Sequence, residues 1–352
     1  MRLMQAAAGT SYAAHTERNG GIRPLTLAEV EASGLRGRGG GWFPTARKMA
    51  SVRGCSTVIV NGMEGEPLSE KDGWLLTHAP HLVADGAIAA AELLGAREIV
   101  LAVARDGLAG VLGPRGVRVV RGPDRYLSGQ ESALAGWVRG GRPVPAARRP
   151  ADRGIFVSNA ETFAHLGLIA RHGADWFRSA GTAAAPGTLL LTISGAVARP
   201  GVVEVPVGSP LAPLIAGSSG AVLTGGYGGA WIGAQGARSL WLEPEAMRER
   251  GAVLGPGIVS VLPATVSGLS DTRRIVRWMA AQGAGQCGPC RFGLPAVAAD
   301  LDALDLDPGA LPRLRARAEL LRGRGGCAHP DGVERLVSSA LDVFAHELRA
   351  AA

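Results

Sequence analysis

Lysine is almost missing from this chain. Of its 37 lysines and arginines only Lys48 and Lys71 are lysines, and asparagine occurs only as Asn19, Asn61 and Asn159. In so biased a composition, either residue inside a motif is more informative than usual. Aromatic residues make up 5%, and the arginines are scattered without interleaved stacking rings, which argues against nucleic acid as a partner. The longest uncharged run, residues 205–237, is broken by Gly, Ser and Pro, and residues 1–19 lack the apolar centre of a signal peptide. No membrane span is expected, and the expected location is cytoplasmic. Four cysteines in a reducing compartment read as metal or redox ligands rather than as a disulfide framework.

What is present describes a globular protein. Hydrophobic residues reach 47% and charged residues 19% of 352 positions, enough for two or three domains. The 52 glycines follow no Gly-X-Y period, so a collagen-like fibre is excluded. A net charge of +7 suits an acidic partner such as a phosphate ligand or a small acidic protein.

Thr26 and Glu29 form a capping-box pair and Gly34 a stop signal, which predicts a short helix over 26–33. Apolar, β-branched runs at 57–60, 98–103 and 117–120 predict buried strands, and Ala/Leu patterns at 81–94, 131–138 and 161–172 predict helices. That alternation implies a parallel sheet covered on both faces. Asn61 then falls at a strand's carboxyl end, where open α/β sheets bind ligands. Beyond the Ala/Gly/Pro stretch at 181–187, runs at 188–194, 202–205 and 221–224 predict strands joined by tight turns. From residue 267 onward the pattern is helical, with helices expected at 271–281, 293–304, 309–322 and 332–349.

Four segments carry the chemistry. The first, 34–48, sets five glycines ahead of a Pro-Thr helix start and Lys48; glycine backbones and a helix N-terminus together suit an anion. It fits neither standard phosphate motif. The second is Asn61-Gly62-Met63-Glu64-Gly65-Glu66-Pro67 followed by Lys71-Asp72, the third Tyr126-Leu127-Ser128-Gly129-Gln130-Glu131, and the fourth Val157-Ser158-Asn159-Ala160-Glu161-Thr162. In this order they resemble the FMN-binding flavoprotein subunit of respiratory complex I and its relatives in NAD-linked hydrogenases and formate dehydrogenases. That family writes them GLRGRGGAGFPTGxKW, NADEGEPGxxKD, YxxGEETAL and VNNVET. Both lysines and two of the three asparagines fall on motif positions.

The resemblance implies an α/β fold with three parts: a Rossmann-like FMN domain over 1–185, a ubiquitin-like β-rich module over 186–258, and a four-helix bundle with an iron–sulfur site over 259–352. It places Gly37, Arg38, Gly39, Gly40 and Lys48 on the FMN, with Asn61 and Glu64 at the ring. Tyr126, Gly129 and Gln130 would line its other side, and Ser158, Asn159 and Thr162 its phosphate end. Glu66 and Glu131 match acids that face the nicotinamide nucleotide. The activity implied is electron transfer between reduced pyridine nucleotide, NADH by default, and an iron–sulfur protein such as a ferredoxin, within a hetero-oligomeric assembly.

The chain also departs from the pattern. Met63 replaces an Asp and Gln130 a Glu, removing two negative charges. The stretch 134–157 is short and lacks a Lys-Pro-Pro-Phe-like segment, and Ser51 stands for an aromatic, while Phe43 is kept. A ferredoxin-linked flavoprotein without NADH, or a non-catalytic docking subunit, is the alternative expectation. Cys287, Cys290 and Cys327 match three of the family's four cluster ligands, and Ala284 holds the fourth position. Read by themselves, CGPC is also a dithiol signature, and Cys287, Cys290, Cys327 and His329 could form a Cys₃His zinc site. A cluster with a non-protein fourth ligand, a three-iron cluster and a lost cluster all remain open. Cys55 reads as a buried small hydrophobe.

Overall fold

The computed structural model describes residues 2–104 and 107–350. The chain divides into two compact units: Met1–Gly65, Ser69–Thr192 and Val202–Ser209 form the first, and Glu66–Leu68, Ile193–Gly201 and Pro210–Ala352 the second.

The first unit is built on four parallel strands, β1 (Thr57–Gly62), β2 (Glu98–Val103), β3 (Val117–Arg121) and β4 (Ile155–Asn159), in the spatial order β3-β2-β1-β4. Val58, Ile59 and Val60 are all buried, as a strand covered on both faces requires. The order reverses between β1 and β4. Their carboxyl ends therefore splay apart into the crevice that doubly wound sheets use for ligands. Asn61 and Asn159, paired across these two strands, stand at its rim.

The expected helix at the N-terminal glycine loop is present as Leu27–Ser33. Thr26 Oγ1 accepts the Glu29 N–H, the Glu29 carboxylate accepts the Thr26 N–H, and Gly34 ends the helix in the left-handed conformation. Pro80–Leu94 and the helical span Ala160–Arg178, which is broken at Gly173, pack with almost no space between them. A Cβ on Gly86 would lie 1.7 Å from the Phe163 carbonyl oxygen, and one on Gly167 would lie 2.8 Å from that of Leu82. Only glycine permits this approach, so part of the glycine excess is a packing requirement. β4 is not among the expected strands: Ile155-Phe156-Val157 is too short a run to register before its motif. The helices Leu3–Ala6, Tyr12–Asn19 and Lys71–His78 are likewise additions to the expected set.

The first unit also contains most of β5 (Thr188–Gly195) and its neighbour β6 (Gly201–Pro206). In the second unit the short strands β7 (Val222–Thr224), β8 (Ala230–Ile232) and β9 (Ile258–Val261) pair antiparallel, β7 in the middle. The helices Gly268–Gln282, Leu294–Asp302, Ala310–Glu319 and His329–Val343 follow. The first packs on the second and fourth, and the third on the second and fourth, which closes a four-helix bundle. A π-helical turn, Pro289–Gly293, leads into the second helix from the cysteine segment. Among the described residues no helix is long and apolar enough to cross a membrane.

Candidate functional site

The glycine loop is anchored from inside the protein. The Arg38 guanidinium is fully buried and donates to three carbonyls: Nε to Thr188 at 3.1 Å, Nη1 to Arg36 at 2.9 Å and Nη2 to Pro186 at 3.0 Å. Its backbone N–H donates to Thr162 Oγ1 at 2.9 Å, and its carbonyl accepts Lys71 Nζ at the same distance. Every polar group of Arg38 is thus spent on the protein, so Arg38 and Thr162 position the loop. Trp42 stacks on the Arg38 guanidinium, 4.5 Å from carbon to ring centre, and is buried. It occupies a place where the family motif has glycine, and its backbone keeps the left-handed φ of 50° that glycine would adopt without strain.

What this anchoring leaves open is the tip. Among the described residues, the backbone N–H groups of Gly39, Gly40 and Gly41 meet no protein acceptor. Gly39 lies over the end of β4, where an added Cβ would come 3.2 Å from Asn159 Cβ. Three unpaired amides held at a strand end, without side chains to screen them, suit a phosphate. The fit to a phosphorylated flavin is therefore good at this end.

Behind the loop lies a cluster of buried charge. Lys71 Nζ, fully buried, donates to Glu161 Oε2 at 2.5 Å and to Asn159 Oδ1 at 3.2 Å, besides the Arg38 carbonyl. Glu161 Oε1 accepts the Leu190 N–H, and Asn159 caps the Ala160–Arg178 helix by accepting the Glu161 N–H. Burial by itself would raise the Glu161 carboxyl, but Lys71, His165 and Arg38 outweigh it and hold the group at about 2. Asp72 is the opposite case. Burial and the charge of Glu64 raise its carboxyl to about 7 against the pull of Lys71 and a 2.7 Å bond from Asn159 Nδ2. Its Oδ1 is buried without a hydrogen-bond partner.

These shifts give opposite pH dependences. Glu161 sits below its ordinary 4.5, so its contribution is complete above that pH and is lost as pH falls towards about 2. Asp72 sits above its ordinary 3.8, so its ionisation removes stability progressively as pH rises through about 7. Stability should therefore be greatest in weak acid. Denaturant titrations should show a fall of about 3 kcal/mol between pH 4.5 and 2 from Glu161, a fall that Glu161→Gln flattens. An unchanged acid limb in that variant would contradict the assignment.

At the end of β1, Asn61 Nδ2 donates to the Gly129 carbonyl at 2.8 Å, tying the strand to the 126–129 turn. Gly65 closes the same junction, since a Cβ there would strike the backbone of Arg125 and Tyr126 within 3.1 Å. Glu64, at φ 44°, accepts the N–H groups of Asp72 and Gly73 and so caps the Lys71–His78 helix. Gln130 caps the Glu131–Val138 helix through Oε1, which accepts from Ser132 and Ala133. Met63, in place of the family's Asp, is buried with Ile59, Val100 and Leu134. Lys48 Nζ meets Glu131 Oε2 at 2.7 Å in a half-exposed pair. Phe43 is half exposed, with Arg47 over its ring. Ser158 is buried near the end of β4. Ser128 Oγ is buried without a partner beside the turn.

In the second unit, Glu66 accepts the Tyr227 N–H at 3.1 Å from both carboxylate oxygens. The thiols of Cys287, Cys290 and Cys327 are close enough to feel one another's charge. Burial would raise Cys287, but N–H groups of Gly326 and Cys290 bring it below its ordinary value, whereas burial and its neighbours push Cys290 up to about 11. Among the described residues no three Cys, His, Asp or Glu side chains surround a single point closely enough to hold one metal ion. A tetrahedral zinc needs that convergence; a four-iron cube, with each thiolate on its own iron, does not. His329 Nε2 is engaged with the Met279 carbonyl at 2.9 Å. Cys55 is buried, its thiol raised by desolvation.

Lys71, Asp72 and Glu161 are not among the site residues expected from the sequence, although the scarcity of lysine already marks Lys71. The carbonyls of Pro186 and Thr188 leave no mark in the sequence.

A parallel sheet with an open-amide glycine loop at its topological switch point, followed by a four-helix bundle carrying three neighbouring thiols, defines a nucleotide-binding redox protein. Residues 30–167 match the family model described as the Nuo51 FMN-binding domain, and residues 271–351 that of the NADH-ubiquinone oxidoreductase-F iron-sulfur binding region. The chain is 30% identical to the NADH-quinone oxidoreductase F subunit of Streptomyces coelicolor, over 91% of this chain and 81% of the relative. It is 29% identical to the corresponding F 2 subunit of Rhizobium meliloti, over 97% and 92% respectively. A solved NAD+-reducing [NiFe]-hydrogenase superimposes with a TM-score of 0.83 at 28% identity; 92% of this chain is covered, but only 62% of the hydrogenase chain. The chain belongs to the family of NADH-quinone oxidoreductase F subunits.

Proposed function

We infer that this chain is an FMN-dependent oxidoreductase that moves electrons between NADH and an iron–sulfur protein. The open amides of Gly39, Gly40 and Gly41 at the β4 end carry this reading, because they offer an anion site that Arg38 and Lys71 hold in shape without occupying it. Gly37 belongs to the same turn, its N–H bonded to the Phe43 carbonyl at 2.9 Å. Once bound, FMN would supply the conversion of a two-electron donor into single electrons. The protein's share is to bind and orient: the loop amides would take the phosphate, while Asn61, Gly129 and Tyr126 would border the ring. Lys48 and Glu131 form a neutral pair that a nucleotide can open by competing for either charge. The exposed Phe43 offers a stacking face for an adenine.

Cys287, Cys290 and Cys327 would hold the iron–sulfur cluster. We further propose that the partner is an acidic ferredoxin-like protein docking on this basic chain, that residues 1–185, 186–258 and 259–352 serve as flavin, ubiquitin-like and cluster modules, and that the protein acts in the cytoplasm within a larger assembly. The larger assembly is supported by the relatives' names, which make them subunits of NADH-quinone oxidoreductase.

Full-length protein purified without oxygen and supplied with FMN should retain a flavin absorption band. Addition of NADH should bleach it. Failure to retain FMN would refute the flavoprotein reading. Bleaching by reduced ferredoxin but not by NADH would instead show a changed electron donor.

A further inference from the structure

Resting on the reading that the helical region carries an iron–sulfur cluster, we infer that only three thiolates of this chain hold it. On this inference the fourth corner, beside Ala284, is closed by a small exogenous ligand and is the iron that exchanges.

The segment is folded as a ligand loop. A Cβ on Gly283, the residue before Ala284, would stand 3.7 Å from Cys290 Sγ, so the chain ahead of Cys287 folds back over Cys290. Two sequence-distant stretches meet here: Cys287 Cβ lies 4.0 Å from where a Cβ on Gly326 would stand, and a Cβ on Gly293 would strike Leu321 at 2.5 Å. Ala284 directly follows Gly283, so its backbone stands beside Cys290. Its methyl group, however, offers no lone pair.

His329, two residues beyond Cys327, has its ring buried and its Nε2 on the Met279 carbonyl at 2.9 Å. Ala284 is half exposed, and Gly285, Gln286 and Gly288 are exposed. Water, hydroxide or a small thiol therefore reaches that corner, whereas Cys290 is buried and shielded. An iron bound to the protein by no side chain exchanges its outer ligand and is the first to leave on oxidation. In that step the cube gives up one ferrous ion and one electron, and a one-electron oxidant such as ferricyanide accepts the electron. What remains is a three-iron cluster on the three thiolates.

The test uses the full chain, reconstituted anaerobically with iron and sulfide, beside the Ala284→Cys variant. After a stoichiometric addition of ferricyanide, the wild-type protein should lose one iron per chain and develop the EPR signal of an oxidised three-iron cluster. Ferrous iron with dithionite should reverse this. A small thiol such as mercaptoethanol should shift the EPR spectrum of the reduced wild-type cluster, and Ala284→Cys should show neither effect. If both proteins keep all their iron and ignore the thiol, a protein ligand supplies the fourth bond and the inference is wrong. If Ala284→Cys assembles a cluster and the wild type does not, three thiolates are insufficient and the inference is again wrong. If neither takes up iron and sulfide, the iron–sulfur reading itself fails.

Discussion

Replacing Lys71 by Met should cost about 3–5 kcal/mol of folding stability, the loss typical of leaving one partner of a buried ion pair uncompensated. Lys71 is fully enclosed, and its ammonium is the nearest countercharge to Glu161, which is equally enclosed. Removing it also strands the Arg38 carbonyl and one acceptor site on Asn159. The side-chain stems of Lys and Met are similar, so the loss should come from charge rather than from a cavity. The double variant Lys71→Met/Glu161→Gln should therefore regain a substantial part of it. Chemical denaturation of the single and double variants measures both. A single variant within about 1 kcal/mol of the wild type would show that the cluster is solvated in a way its burial denies.

The second large effect is expected at Arg38. Arg38→Lys conserves charge but not the planar fork that reaches three carbonyls in different directions. At least two of the carbonyls from Arg36, Pro186 and Thr188 would lose their donor, at about 1–3 kcal/mol for each buried group. Trp42 would lose the flat cation that covers it while still holding a left-handed backbone. The loop tip should then relax, and FMN affinity should weaken by at least about tenfold, or 1.4 kcal/mol. Flavin titration followed by fluorescence reads this directly. Because Arg38 has no free polar group, an unchanged affinity alongside lowered thermal stability would mean that loop shape and flavin binding are independent.

The elements legible in advance share a property: their signal is local. The capping pair Thr26 and Glu29, the β-branched run at 57–60 and the alternating Ala/Leu helices each declare themselves within one turn or one strand. In the sequence, Asn159 and Gln130 are only motif letters; the structure gives them a mechanical meaning, since both side chains cap the helices that follow. Glu64 does the same for its helix from a loop position upstream, a reach that no local pattern reveals. β4 escapes notice because three apolar residues do not distinguish a strand from a buried turn. Met63 is readable as a lost charge, but only its packing against Ile59 and Leu134 shows that the position belongs to the core.

The sequence by itself determined the class of protein through a resemblance, because its glycine loop, both lysines and two of its three asparagines fall on that family's motif positions. It also showed Ala284 at the position where the resembled family has a further cluster cysteine. Only the tertiary structure decided which motif residues hold the others in place. Arg38, Thr162, Glu64 and Gln130 direct their polar groups inwards because buried donors and acceptors must be paired, and the partners they find lie up to 150 residues away along the chain. Separation in sequence carries no trace of that pairing, whereas the folded chain makes it unavoidable.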